Sequence, residues 1–369
     1  MPDTAEHRFP CHTCGADLRF DPQTMQLVCD HCGATEAVDE NPWKSGAMRE
    51  LDFQAAIAER IPDSEFEETR VTSCENCGAQ VEFLDEEHAK ECPFCATPLV
   101  IGTGAHRQIK PKGVLPFAIP EGDARKAMNK WLGRLWFAPN GLQQFARAGR
   151  QMQGIYVPYW TFDADTKSTY RGQRGDAYTE MRMVSVVVNG KRTMQSRPVT
   201  KIRWSRVSGR VARFFDDVLV LASNSLPKKH TDAIAPWDLS ALEPYAPEYL
   251  AGFRAEGYAV DLEDAFTEAR KIMDRRIVRD VKFDIGGDRQ RIDELHTTVA
   301  DVTFKHVLLP VWLAAYKYRG ESYRFVVNAR TGAVSGERPY STIKIVFAVI
   351  LAVLGIGTAA ILAAYFQQT

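Results

Sequence analysis

Cysteine is absent from the last 274 residues of the chain: all eight cysteines lie between Cys11 and Cys95. This distribution indicates one region with one task. The first ten residues are polar and lack the apolar stretch of a secretory signal. We therefore expect the amino-terminal part to stay in the cytoplasm, where paired C-x-x-C units more often hold metal than form disulfides.

Basic residues are scarce in the first hundred positions. Residues 1–100 contain 7 Lys and Arg against 21 Asp and Glu, whereas residues 101–341 contain 38 against 26. The overall charge of −1 therefore conceals segments of −14 and +12. Because proteins attract phosphates mainly through Lys and Arg, the first segment is a poor surface for nucleic acid.

Signs of catalysis are also missing. The D-E-x-H sequence at 293–296 resembles a helicase box, but the phosphate-cradling G-x-x-x-x-G-K-[ST] loop is absent, so we expect a solvated helix or loop there. Asp163 and Asp165 suggest a metal pair, yet beside Trp160 and Phe162 they are more simply the polar face of a strand. No arrangement of Ser, His or Cys indicates nucleophilic catalysis, and we expect the protein not to be an enzyme.

What the sequence does contain is an internal repeat. A shift of 63 residues superposes two segments that each read C-x2-C-x14-C-x2-C, and it also matches Gly15 with Gly78 and Ala16 with Ala79. Two-residue spacing lets both thiolates of one turn reach a metal at about 2.3 Å, and two such turns complete a tetrahedron. The predicted metal ligands are Cys11, Cys14, Cys29 and Cys32 in the first repeat, and Cys74, Cys77, Cys92 and Cys95 in the second.

Four thiolates close the coordination shell and leave no position for a reacting water, so we predict two structural zinc ions. Iron in a rubredoxin-like site is the alternative. His12 and His31 lie inside the first repeat and could replace a ligand, but with four cysteines available we expect both to be exposed.

The composition predicts a multidomain chain. Two small β zinc ribbons occupy 8–36 and 71–101, and an acidic linker with a short helix joins them at 37–70. An α+β domain with a basic and aromatic composition follows at 105–341, and a transmembrane helix occupies 343–366.

Within the α+β domain we predict one helix over 124–137, capped by Asp123, and another from Asp261 to about residue 281. The Asn-Gly pair at 189–190 indicates a two-residue hairpin. Segments 302–318 and 323–327 predict a second hairpin.

The sequence at 157–160 echoes that at 309–312, which suggests that the domain is duplicated. Its aromatic residues allow two interpretations, a stacking platform for single-stranded nucleic acid or ordinary core packing. The residues concerned are Tyr156, Tyr159, Trp160, Trp204, Trp237, Trp312, Tyr316 and Tyr318.

Residues 345–366 carry no charge over 22 positions, enough to cross about 30 Å of hydrocarbon. Arg330, Arg338 and Lys344 precede this run, and positive charge favours the cytoplasmic side of a membrane. We therefore expect a single-pass tail anchor in the cytoplasmic (inner) membrane, with the amino terminus in the cytoplasm and membrane lipid as one partner.

Three segments carry a family resemblance: Leu-Trp-Phe-Ala-Pro-Asn at 135–140, Tyr-Val-Pro-Tyr-Trp at 156–160 and Val-Asn-Ala-Arg-Thr-Gly at 327–332. Over nearly its whole length the chain resembles bacterial tail-anchored zinc-ribbon membrane proteins, often labelled as similar to the primosomal replication-restart helicase. Similar proteins in some bacteria belong to membrane complexes that recruit phage-shock and SPFH-type envelope-stress proteins, which would imply a scaffold. As site residues, this resemblance carries over the ribbon cysteines alone.

Our leading hypothesis from the sequence is an adaptor whose zinc ribbons bind a cytoplasmic or membrane protein, such as a phage-shock or SPFH-type protein. A nucleic-acid-binding factor related to replication or transcription is the alternative, and an enzyme of unknown activity is the third.

Overall fold

The computed structural model describes most of the chain, which folds mainly as β-sheet with five α-helices in its described part. The described residues are 9–38, 48–76, 78–82, 89–92, 94, 97–100, 105–137, 152–188, 191–318, 321–338 and 340–368. The helices are α1 (Phe53–Ile57), α2 (Glu121–Gly133), α3 (Lys228–Ala233), α4 (Leu262–Ile285) and α5 (Thr342–Gln368).

The strands divide into the short strands of the amino-terminal part and those of the body, the part from residue 105 to residue 338. The first group is β1 (Leu18–Asp21), β2 (Gln26–Cys29), β3 (Thr35–Ala37), β4 (Leu51–Asp52), β5 (Phe66–Ser73), β6 (Gln80–Glu82), β7 (Ala89–Glu91) and β8 (Pro98–Val100). The second is β9 (Ala105–Ile109), β10 (Gly113–Val114), β11 (Gln153–Val188), β12 (Lys191–Leu221), β13 (Glu243–Pro244), β14 (Arg254–Ala255), β15 (Arg289–Tyr318), β16 (Glu321–Asn328) and β17 (Val334–Gly336).

Three very long antiparallel strands, in the order β12, β11, β15, form the main sheet of the body. β11 has 36 residues, so at about 3.3 Å per residue it extends on the order of 100 Å. The partners Val188 and Lys191 are paired, which confirms the predicted two-residue connection between β11 and β12. Beyond the start of β15 these two strands continue as a two-stranded arm, residues 176–188 and 191–203.

Helix α4 covers one face of this sheet. Its N-cap residue is Asp261, as predicted. It ends at Ile285 rather than near residue 281, because the apolar stripe continues to Ile285. Gly286 follows as the C-cap, and its φ of +66° and ψ of −160° are a conformation that suits glycine. The stripe packs chiefly on β12 and β11, and it consists of Ala265, Ala269, Met273, Ile277, Val281 and Ile285.

Helix α2 begins at Glu121 and ends at Gly133, so the predicted span of 124–137 was displaced toward the carboxyl end. Pro120 occupies the N-cap position, and Asp123 lies in the first turn, where its carboxylate complements the helix dipole.

The D-E-x-H sequence at 293–296 lies in β15, so the prediction of a helix or loop was wrong. Ile292 and Leu295 are three residues apart, a spacing typical of a helix. A register shift opposite Arg171 and Gly172 adds one residue to β15 there, so both Ile292 and Leu295 pack toward α4.

The second half of the predicted linker packs on the body. Leu51 pairs with Phe304, and α1 buries Phe53 beside it. Strand β5 pairs with β9, so hydrogen bonds cross the predicted boundary near residue 105. Residues 39–47 of the linker lie outside the described residues.

Helix α5 contains the predicted membrane segment. Its stretch Thr342–Ala360 has a mean hydropathy of 2.4, and none of it is buried inside the protein. The helix is long and apolar enough to span a membrane.

The echo between 157–160 and 309–312 falls on neighbouring strands, where Val157 pairs with Leu309. Helices α2 and α4 each precede a long hairpin, but the hairpins differ greatly in length. The duplication therefore stays a prediction.

Candidate metal centre

The first cysteine turn is closed by two backbone hydrogen bonds. The N–H of Gly15 donates to the carbonyl of Cys11 at 2.8 Å, and the N–H of Cys11 donates to Ala16 at 2.7 Å. Gly15 has φ of +74°, a conformation that strains any residue with a Cβ. The turn brings the sulfurs of Cys11 and Cys14 to the same side.

The second cysteine turn of this ribbon repeats that geometry. The N–H of Gly33 donates to Cys29 at 2.9 Å, and the N–H of Cys29 donates to Ala34 at 2.9 Å. Gly33 has φ of +75°. Strands β1 and β2 form a hairpin that holds the two turns together.

The four sulfurs are arranged as a tetrahedral metal requires. Cys11 Sγ lies 3.6 Å from Cys32 Sγ, and Cys14 Sγ lies 3.5 Å from Cys29 Sγ. All four lie within 4.8 Å of one another. A tetrahedron with Zn–S bonds of about 2.3 Å has edges of about 3.8 Å, so this set of thiols could hold a zinc ion.

Backbone amides favour the thiolate form of two of these cysteines. The amide of Thr13 lowers the pKa of Cys11 to about 7. The amide of Cys32 likewise lowers the pKa of Cys29. Because the thiolate is the form that binds metal, the backbone favours coordination at these two sulfurs. At Cys14 and Cys32 the amides of Ala16 and Ala34 act in the same direction, but the neighbouring thiols raise the pKa of both.

The first ribbon packs on the body through its strands. Phe20 is fully buried and meets Tyr249 edge to face at 5.3 Å, while its N–H donates to Ala251 at 3.0 Å. Cys14 and Cys32 remain exposed at the opposite end. The candidate metal centre is therefore at the rim of the body.

The described half of the second repeat has the same first turn. The N–H of Gly78 donates to Cys74 at 2.7 Å, the N–H of Cys74 donates to Ala79 at 2.8 Å, and Gly78 has φ of +72°. The N–H of Cys92 donates to Thr97 at 2.7 Å. Cys77 and Cys95, the other two predicted ligands, lie outside the described residues.

The strand pairing of the second repeat also matches the first. Ala89 pairs with Val100, just as Gln26 pairs with Ala37, and each position differs by the repeat distance of 63. Strand β6, however, pairs with β5. Its pair of Ser73 with Gln80 is equivalent to the bridge of Pro10 with Asp17 in the first repeat, and β5 continues from there to β9 of the body.

Surroundings distinguish the two repeats. Cys74 and Cys92 are buried, as are their equivalents Cys11 and Cys29, but the second pair shares its apolar cluster with buried Ala79 and Phe94, whereas the equivalent Ala16 is half-buried and His31 is exposed. This cluster continues into the body through residues of β11 and β15, including Ile155, Val157, Val307 and Leu309.

The two histidines of the first ribbon are exposed, as expected. His12 lies beside Glu36, with Nε2 3.5 Å from Oε2.

Asp163 is buried, so the prediction of a polar strand face was wrong for it, whereas Asp165 is exposed. Asp163 accepts a hydrogen bond from the backbone N–H of Asp217 at 2.7 Å. Burial and the adjacent Glu50 carboxyl raise the pKa of Asp163 to about 7.

Asp163, Asp216 and Asp217 bring carboxylate oxygens within 4.8 Å of one another. Lys305 already supplies a cation there, with Nζ 2.9 Å from Asp217 and 2.8 Å from Glu50. The group fastens the linker to the sheet, and it is a poorer metal site than the thiols.

The sequence did not predict a buried polar group around Glu256. Both carboxyl oxygens of Glu256 accept hydrogen bonds, from Ser223 at 2.8 Å and Ser225 at 3.0 Å. Burial raises the pKa of Glu256 to about 8. The Ser-x-Ser spacing was the available signal, but the chain gives no hint that Glu256 folds back onto it.

The aromatic residues mostly form core. Tyr156, Tyr159, Trp160 and Trp312 are buried, and the indole N–H of Trp160 donates to Val260 at 3.0 Å. Trp204 and Trp237 are half-buried, and the side chains of Tyr316 and Tyr318 lie outside the described residues. Core packing, rather than a stacking platform, fits the described members of this set.

The chain is 26% identical over 340 residues to the uncharacterized protein YdjG of Bacillus subtilis (strain 168), and the alignment covers 91% of each chain. No family model and no solved structure matches the chain. Similarity therefore extends over nearly the full length of both proteins, and the name of this relative states no activity.

Proposed function

We propose that the protein is a non-enzymatic, membrane-anchored adaptor whose zinc ribbons bind a protein partner. The observation that carries the proposal is the closed set of four thiols at the rim of the body, combined with the exposed apolar helix α5. Four thiolates leave a zinc ion no open position, which favours a structural over a catalytic role.

Both repeats hold zinc in this proposal. The second is supported by the matching turn at Cys74 and by the pairing of Ala89 with Val100. The purified full-length protein should contain two zinc ions per chain by plasma mass spectrometry. A content of one would restrict the proposal to the first repeat, and iron in place of zinc would favour the rubredoxin-like alternative.

Helix α5 anchors the protein in the cytoplasmic (inner) membrane, with the amino terminus in the cytoplasm. The cations Arg330, Arg338 and Lys344 precede the span and support this orientation. Deletion of residues 342–369 should move the protein from the membrane to the soluble fraction. Full retention in the membrane would contradict anchoring by α5.

The partner in this proposal is a cytoplasmic or membrane protein with a basic or apolar surface, and the resemblance suggests a phage-shock or SPFH-type protein. Acidic residues dominate the first hundred positions, which supports this choice. Crosslinking of the full-length protein in native membranes should capture the partner, and Cys14→Ser should abolish capture because Cys14 lies at the exposed end of the first ribbon. Unchanged capture by Cys14→Ser would exclude this ribbon as the binding surface.

A specific feature favours nucleic-acid binding as the second candidate. The face of the long sheet opposite α4 carries six exposed cations and three carboxylates, Asp165, Asp293 and Glu294. The cations are Lys167, Arg171, Arg206, Arg210, Arg289 and Arg291. Tight DNA binding by the full-length protein at 150 mM salt, lost in Arg206→Glu/Arg210→Glu, would support this candidate over the adaptor, since such salt screens beyond about 8 Å.

A further inference from the structure

The turn that follows α2 leaves two aromatic side chains in solvent. Trp136 is 80% exposed and Phe137 is 41% exposed. Their rings stack on each other, with centroids 6.3 Å apart and planes inclined by 19°. A neighbouring pair of exposed aromatic rings marks a binding surface rather than part of a core.

This turn is bonded to the start of α5. The N–H of Ser341 donates to the carbonyl of Phe137 at 2.7 Å, and Lys344 Nζ donates to the carbonyl of Trp136 at 3.1 Å. Phe137 also shares a shallow apolar groove with Tyr340 and Ile345. The two aromatic rings therefore lie level with the first turn of the candidate membrane span.

The sequence segments around these aromatic residues contain basic but no acidic side chains. Residues 124–162 contain six Lys and Arg and no Asp or Glu, and residues 338–369 also lack acidic side chains. Lys130 and Arg134 are exposed one helical turn apart at the end of α2, and Arg338 lies over the ring of Tyr340 at 5.2 Å. In the described ranges, no carboxylate forms an ion pair with Lys130, Arg134 or Arg338.

We propose that the end of α2 is a second membrane contact, which binds anionic phospholipid of the same bilayer that holds α5. Trp136 and Tyr340 lie at the headgroup level, where amphipathic rings are most stable, and Lys130, Arg134 and Arg338 attract the phosphates. We name this surface the headgroup contact. It rests on the proposed anchoring by α5, and it adds that the body is held against the membrane instead of being suspended on a free stalk.

Other occupants fit less well. A second copy of the chain would bring the same cations against one another, and like charges repel. A soluble partner would have to reach a surface that is bonded to the first turn of the span, where headgroups already lie.

Site-specific photocrosslinking of the full-length protein in native membranes tests the proposal. The photoreactive residue p-benzoylphenylalanine replaces Trp136, with Phe283 and Leu351 as controls. Phe283 is 90% exposed on α4, and Leu351 is exposed on α5. We expect lipid adducts at 136 and 351 and none at 283.

The controls separate this proposal from the anchoring itself. A lipid adduct at 351 without one at 136, or a protein adduct at 136, would overturn the headgroup contact while leaving the anchor intact. If position 351 gives no lipid adduct, the anchoring fails and the headgroup contact fails with it.

A charge reversal tests the electrostatic part. The full-length protein with the photoreactive residue at 136 is reconstituted in phosphatidylcholine vesicles with or without phosphatidylglycerol. Lys130→Glu/Arg134→Glu should lower the adduct yield in the anionic vesicles by about fivefold or more. Lys126→Glu, at a cation that already pairs with Asp123 at 2.8 Å, should change it little. If the protein with Lys130 and Arg134 intact gave the same adduct yield in both vesicle types, recognition of anionic headgroups would be contradicted.

Discussion

Cys11 and Cys29 of the first repeat and their equivalents Cys74 and Cys92 of the second are all buried, in two different apolar clusters that both include residues of the body. Both repeats use the same turn, with a positive φ at Gly15 and at Gly78. At the next equivalent position the first repeat has exposed His31, and the second has buried Phe94. The local chain thus sets the turn, and the exchange of histidine for phenylalanine gives the second repeat a buried aromatic ring that the first lacks at this position.

The largest expected contrast comes from removing the equivalent ligands Cys11 and Cys74. Binding of a structural zinc ion contributes roughly 10 kcal/mol to the folding of a small ribbon. Cys74→Ser should therefore lower the melting temperature of the whole body and the soluble yield, because loss of this site also exposes the buried Ala79 and Phe94. Cys11→Ser should lose one zinc ion with a smaller fall in the melting temperature, because the equivalent Ala16 is half-buried and His31 is exposed. Equal melting curves for two variants that each lose one zinc ion would remove the distinction.

The next effect concerns Glu256, whose backbone lies beside the second repeat: the following residue, Gly257, donates its N–H to Gln80 at 3.1 Å. Burial raises the pKa of Glu256 to about 8, above its ordinary value of 4.5. The folded state therefore holds a proton that the unfolded state releases, so the free energy of unfolding should fall as the pH rises from about 5 to 8.

The slope from this group is at most about 1.4 kcal/mol per pH unit. Urea unfolding of the zinc-loaded protein at several pH values measures it. Glu256→Gln keeps the shape of the buried side chain but removes the titrating group, so it should flatten the pH profile. A profile that Glu256→Gln leaves unchanged would contradict the assignment.

A smaller contrast separates Ala79 from its equivalent Ala16. Ala79 is fully buried, whereas Ala16 is half-buried. Ala79→Leu should cost about 1–3 kcal/mol because the added carbons overfill the core. Ala16→Leu should cost less than about 1 kcal/mol. Chemical denaturation of both variants gives the difference, and a larger loss for Ala16→Leu would reverse the comparison.

The smallest effect should be equal in the two repeats. Among the described residues, a Cβ at Gly15 meets no atom within 4 Å, and one at Gly78 meets Asn224 alone, at an ordinary 3.8 Å. Gly15→Ala and Gly78→Ala should therefore each cost about 1 kcal/mol from the left-handed backbone alone. Unequal losses would show that the two turns differ in more than their surroundings.

Local patterns predicted the cysteine turns, the Asn-Gly hairpin and most of α4, because each depends on residues close in sequence. The sequence did not predict the start of β15, because the bulge there gives Ile292 and Leu295 a helical spacing. The sequence did not predict the burial of Asp163, because its partners Glu50 and Lys305 come from distant segments. The exchange of His31 for Phe94 was readable in the sequence, and it would have predicted that the second repeat is buried at this position.

Strand β12 has further consequences for solubility. Within the described part of the chain, it forms the outer edge of the main sheet along all 31 residues, with β11 as its partner on the inner side. An open edge of this length exposes backbone groups that can template pairing with another chain, which is how many sheets aggregate. β12 carries eight Lys and Arg together with Pro198. Mutual repulsion between these cations and the missing N–H of the proline keep two such edges apart, so the arm can extend far from the body without seeding fibrils.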